Sequence, residues 1–109
     1  MLEALLGSQD EERALMYLNC REEGYPRQMA RETGATFSSL QTQLRRLEEA
    51  GILYSKSLGR TRVYRFNPRY PFLGELRALL TKALRFYPEA EREMFLMSRQ
   101  RPRLAGKPL

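Results

Sequence analysis

The chain has 109 residues, 42% of them apolar and 29% charged, with 19 Lys/Arg against 13 Asp/Glu and a formal net charge of +6. That length allows one domain, or one domain with a helical extension, and the composition excludes wholesale disorder. Cys20 is the one cysteine and histidine is absent, which excludes an intramolecular disulfide and histidine acid–base catalysis and leaves only carboxylates to build a closed zinc site.

The charge is unevenly spread. Residues 1–26 carry two arginines against six acids, a net of −4, whereas residues 27–66 and 67–109 each carry +5. A polyanion is the expected partner, and the acidic N-terminal part is expected to point away from it. The lone thiol fits a reducing cytoplasm. Met1–Leu6 is too short for a secretory hydrophobic region and acids follow at once, while no apolar run approaches a membrane span.

A first helix is predicted from about Ser8 to Cys20, capped by Ser8 or Asp10, with Asp10, Glu11 and Glu12 at the positive end of its dipole. Ala14, Leu15, Leu18 and Cys20 supply its buried stripe. Gly24-Tyr25-Pro26 breaks the chain, and Pro26 opens a second helix, Pro26 to Thr33, which Gly34 ends. Thr36 caps a third helix, Phe37 to Ala50, on which Leu40, Leu44 and Leu47 point inward and Gly51 stops the run. Ile52 to Leu58 and Thr61 to Phe66 read as strands joined by a Gly59-Arg60 turn, with Tyr64 and Phe66 as the inward pair. A fourth helix, about Phe72 to Tyr87, and a fifth, Glu89 to about Gln100, follow; the tail Ser98–Leu109 is basic and expected to fray. The chain shows no internal repeat.

With about 100° per residue, the side of the third helix opposite its leucines holds Ser38, Ser39, Thr42, Arg45, Arg46 and Glu49, with Gln41 at the border. Gln can pair with adenine and Arg with guanine, while Ser and Thr reach phosphates or base edges. The N-terminal positions Ser38, Gln41 and Thr42, then Arg45, are the candidate base readers, Arg46 is a phosphate contact, and Thr36 and Ser39 complete the candidate DNA-binding set of this helix. Any surface helix has a polar outer face. What sets this one apart is the tight turn before it and the cations Lys56, Arg60 and Arg62 after it, an order that can place a helix in the major groove and a basic loop on the adjoining backbone. Charges on exposed strands also discourage edge-to-edge pairing, yet these three cations, in a stretch from Ile52 to Phe66 that holds no acid, exceed that need.

The fourth helix carries more apolar surface than one small domain covers. Leu73, Leu76, Leu80, Leu84, Tyr87 and Met94 are therefore the candidate faces of a symmetric homodimer, the domain core being the alternative use. The methionines read as gap-fillers and Cys20 as a small buried hydrophobe. Without an acid pair, nucleophile–base set, phosphate loop or metal cluster, the chain reads as a non-enzyme that needs no cofactor.

Met29-Ala30-Arg31-Glu32-Thr33-Gly34, Ser38-Ser39-Leu40-Gln41-Thr42-Gln43-Leu44, Leu47-Glu48-Glu49-Ala50-Gly51-Ile52-Leu53 and Gly59-Arg60-Thr61-Arg62-Val63-Tyr64 followed by Asn67-Pro68 together resemble the winged helix-turn-helix of ArsR-type transcriptional regulators. The resemblance covers residues 8–70. It implies a mainly α fold with a small β-hairpin: a DNA-binding domain over 1–70, with recognition helix 37–50 and wing 56–62, and C-terminal dimerisation helices over 71–109. It further implies a homodimeric repressor on double-stranded DNA. Metal-sensing members carry paired cysteines or histidines that this chain lacks, so no metal is expected, and a small-molecule effector stays unidentified. Tyr64-Arg65-Phe66-Asn67-Pro68-Arg69-Tyr70-Pro71 also resembles winged-helix modules found beside nucleotidyltransferase-like domains, which implies a protein-interaction adaptor as the alternative. A structural RNA binder ranks last, because exposed aromatic platforms for single strands are missing.

Overall fold

Capping chemistry sets the helix starts. The computed structural model describes residues 1–97, so the predicted continuation of the last helix to Gln100, the fraying tail Ser98–Leu109 and the Met97 side chain lie outside the described residues. A short α1, Glu3–Leu6, precedes α2, Gln9–Arg21, whose N-cap Ser8 accepts a hydrogen bond from the Glu11 N–H at 3.0 Å. α3 spans Pro26–Thr33, with Pro26 in its first turn and Gly34 left-handed at φ 82° beyond its end. Three residues later α4 begins, Phe37–Glu49, its N-cap Thr36 accepting from the Ser39 N–H. α4 closes with a Schellman pattern, since the Gly51 N–H donates to Glu48 O and the Ile52 N–H to Leu47 O, both at 3.0 Å.

β2, Leu53–Leu58, and β3, Thr61–Phe66, form an antiparallel hairpin in which Leu58 pairs with Thr61 across the two-residue Gly59-Arg60 loop. Gly59 has φ 62° and Arg60 is not left-handed, the pattern of a type II′ turn, which wants glycine at its first central position. A two-residue strand β1, Glu23–Gly24, adds to the other edge of β3, giving the order β1-β3-β2. α5, Leu73–Leu84, and α6, Glu89–Met97, complete a mainly helical molecule with one small three-stranded sheet.

α2 is the hub, packing on α3, α4, α5, α6, β1 and β3. Leu15, Met16, Leu18, Met29, Leu40, Leu44, Leu53, Leu80 and Phe95 are all essentially sealed from solvent in one continuous cluster. Each such side chain contributes roughly 1.5–3 kcal/mol by leaving water. Tyr64 and Phe66 are buried as expected, but Val63 of opposite parity is buried too.

The structure departs from expectation at several places. α1 and β1 were not anticipated. β1 exists because Glu23 and Gly24 pair with Arg65 and Tyr64, a non-local partner that no run of neighbouring residues advertises. α5 stops at Leu84, because the next three N–H groups bond three residues back (Arg85 to Lys82, Phe86 to Ala83, Tyr87 to Leu84), which tightens the chain into a 3₁₀-like end. Two expected dimer-face residues, Leu80 (0% exposed) and Tyr87 (8%), lie inside the chain's own core. They pack there because α5 and α6 both lie against α2. Among the described residues no helix is long and apolar enough to cross a membrane.

Gly24 is a close-approach point. A Cβ there would sit 2.5 Å from Met29 Sδ and 2.9 Å from Met29 Cγ, with Tyr17 Cε1 at 3.1 Å. Met29 is fully buried, so its thioether can make room only by disturbing its packed neighbours. Gly24→Ala is expected to lower stability by about 1–3 kcal/mol, seen as a lower urea midpoint at unchanged slope.

Candidate nucleic-acid interface

The outward side of α4 is open. Ser38, Thr42, Arg45, Arg46 and Glu49 are exposed, and Gln41 is half-buried at the border. Thr36, the N-cap, is also exposed. The Thr42 hydroxyl donates back to Ser38 O at 3.0 Å, which leaves its oxygen lone pairs outward. Ser39 behaves differently from its neighbours: half-buried, it donates to Asp10 Oδ2 at 2.5 Å and so fastens α4 to the start of α2.

That bond corrects one expectation. The acidic start of α2 does not point away from the candidate face but borders it. Asp10 holds Ser39 and accepts from Arg13 at 2.9 Å. The Glu11 carboxyl is pushed above the usual range, chiefly by burial, with the Arg46 charge opposing. Arg46 is thus partly answered by Glu11, whereas Arg45 faces outward with no ion pair among the described residues.

The hairpin and α4 meet at a polar junction. Ser55 donates to Glu48 Oε2 at 2.8 Å and accepts from Arg62 Nη1, also at 2.8 Å. Glu48, near the end of α4, therefore orients Arg62 on β3 through one hydroxyl. The Tyr64 phenol is raised above its ordinary value by burial first and by the Glu48 carboxylate second, with Arg62 and Arg45 pulling the other way. Arg45 on α4 and Arg62 on β3 thus act on one and the same phenol. Lys56 and Arg60 lie farther out along the hairpin, exposed and without an ion pair among the described residues.

Arg27 was not singled out from the sequence. Its guanidinium lies 4.2 Å from the centre of the Phe37 ring, fixing a cation where α4 begins. Its charge was visible, but the stacking depends on how the Gly34–Thr36 turn folds α3 against α4. The half-buried remainder of the expected dimer set, Leu73, Leu76, Leu84 and Met94, packs at the edge of the core. Phe72 at 62% and Phe86 at 66% exposure are the large apolar groups that α5 and its ends leave open.

Chemically, the arrangement offers hydroxyls, an amide and a guanidinium in a row, flanked by cations on a projecting loop. Hydrogen-bonding edges on a surface helix beside exposed positive charge can contact bases and phosphates together. Comparison with protein-family models, curated proteins and solved structures found no match.

Proposed function

We propose that this chain is a non-catalytic, sequence-specific binder of double-stranded DNA, a winged helix-turn-helix regulator that represses by occupying its site. α4 lies in the major groove and the β2–β3 hairpin grips the flanking backbone. The observation that carries this reading is the exposed Ser38-Thr42-Arg45 row beside the exposed hairpin cations Lys56 and Arg60, which have no ion pair among the described residues. Glu49 at the far end of that row keeps base contact toward the N-terminal half of the helix.

A homodimer suits this reading, with half-sites roughly 34 Å apart. Phe72 and Phe86, exposed at the two ends of α5, with half-buried Leu79 between them in sequence, would replace Leu80 and Tyr87 as its centre. The same two exposed phenylalanines favour the second reading, an adaptor that docks a separate nucleotidyltransferase-like protein. Affinity capture of that partner together with DNA affinity absent at moderate salt would select it.

Fluorescence anisotropy on duplexes across a salt series tests the DNA reading. Affinity should fall steeply with salt. Replacing Lys56 or Arg60 by alanine should weaken binding to all sequences alike and shallow the salt slope by about one per lost phosphate contact. Unchanged slopes in both variants would remove the hairpin from the interface.

A further inference from the structure

The DNA reading makes no use of the cavity at the junction of α2, α3 and α6. It holds about 500 Å³, and its wall includes Glu12, Arg13, Thr33, Tyr87, Glu91 and Phe95. That volume falls within the roughly 300–1,000 Å³ of small-molecule sites.

Its chemistry is specific. Glu12 is 3% exposed in the first turn of α2. Its Oε1 accepts from the Leu2 N–H at 2.8 Å and from the Met1 amino group at 3.3 Å, and its Oε2 accepts from the Tyr87 hydroxyl. An ionised carboxylate has about four acceptor sites, so three bonds leave about one unused. A purely structural tie of α2 to the start of the chain and to the segment between α5 and α6 could be made by apolar packing without the several kcal/mol it costs to dehydrate a buried carboxylate. Glu91 places a second carboxylate at the rim. Arg13, the guanidinium in the wall, is bonded to Asp10. Tyr87 and Phe95 meet edge to face with ring centres 5.9 Å apart, and Met94 lies beside them.

The Met1 ammonium also lines the cavity and pairs with Glu12, but Glu3 shares it. With Arg13 taken by Asp10, Glu12 and Glu91 still leave the wall net negative beside ring faces and a thioether. That disfavours an anion and leaves too few oxygens for a hard metal ion, which wants six or more. The same wall suits a positively charged nitrogen carried on an apolar body. We propose that this cavity binds a small organic ammonium ion, its N–H donating to Glu12 and its apolar part against Tyr87 and Phe95. The inference does not depend on the DNA reading, because its test measures the small molecule alone.

Phenethylammonium is the probe, with phenethyl alcohol as its neutral counterpart and 3-phenylpropionate as its anionic one. Calorimetry on the intact chain should show the ammonium binding about ten-fold or more tighter than the alcohol, and the anion not at all. Methyl and aromatic NMR shifts should centre on Met94, Tyr87 and Phe95. Glu12→Gln should cost about ten-fold in ammonium affinity and leave the alcohol unaffected. Should that variant fail to fold, the three-ligand comparison on the unaltered protein still decides, and Glu91→Gln on the exposed rim should produce a smaller loss. Equal affinity for ammonium and alcohol, shifts centred elsewhere, or no binding at millimolar probe would each overturn the proposal.

Discussion

Arg45→Ala is expected to leave the fold intact and to cut discrimination among duplex sequences by about 1–3 kcal/mol, roughly ten- to a hundred-fold at the base pair it reads. The side chain is exposed and makes no ion pair among the described residues, so its removal takes away no packing and strands no buried charge. It stands in line with Ser38 and Thr42 on α4, near enough to Tyr64 to act on its phenol. A bidentate guanidinium–guanine contact is the strongest single-residue term available to such a row, and lysine cannot reproduce its fork. Selection of bound duplexes from a random pool, run in parallel on both proteins, gives the readout. Identical preferred sequences would show that α4 does not read bases. Arg46→Ala should differ, because Glu11 already offsets part of its charge; it should weaken binding modestly and leave the preferred sequence the same.

The largest expected stability effect lies elsewhere, at Arg21. Its side chain is 7% exposed and pairs with Glu32, 13% exposed, at 2.8 Å. It also donates to the Tyr17 hydroxyl at 3.0 Å and to Phe95 O at 2.8 Å, so one guanidinium joins α2, α3 and α6. Arg21→Ala should destabilise by about 2–4 kcal/mol, because the half-buried Glu32 loses a charge-assisted bond, the Tyr17 hydroxyl loses a donor, and carbonyls in the last turns of α6 lose one too. Arg21→Lys restores charge but not the fork and should fall between. Urea unfolding measures both, and a loss under about 1 kcal/mol for alanine would show that the cluster contributes little. The cluster also predicts an alkaline limit. Burial, foremost, pushes the Tyr17 phenol up to about 12 from its ordinary 10.0. A folded value above the unfolded one means its contribution is complete below about pH 10 and is lost as pH rises toward 12.

Where a local rule was sufficient, the sequence could be read directly. α3 begins at Pro26 and ends at Thr33 as proline and glycine punctuation requires, and the hairpin turns at Gly59-Arg60 because a left-handed glycine is the cheapest way to reverse two strands. The leucine spacing on α4 likewise sorted Leu40, Leu44 and Leu47 inward and Ser38, Thr42 and Arg45 outward. Ser39 escaped the same periodicity, since its tie to Asp10 reaches 29 positions along the chain. Local rules place Glu12 at the positive end of the α2 dipole and stop there; its burial against Tyr87, 75 positions away, lies beyond them.

Composition and local spacing by themselves determined the helices around the turn, the basic hairpin and the polar outer row of α4, because caps, turns and helical periodicity act within a few residues. Only the tertiary structure decided that α5 and α6 fill the core with Leu80, Tyr87 and Phe95, that an acidic helix start borders the cationic face, and that a carboxylate-lined cavity exists. Those outcomes depend on which distant surfaces meet. The free energy that selects them comes from burying area and pairing charge across the whole chain, and no short window of residues contains both sides of such a contact.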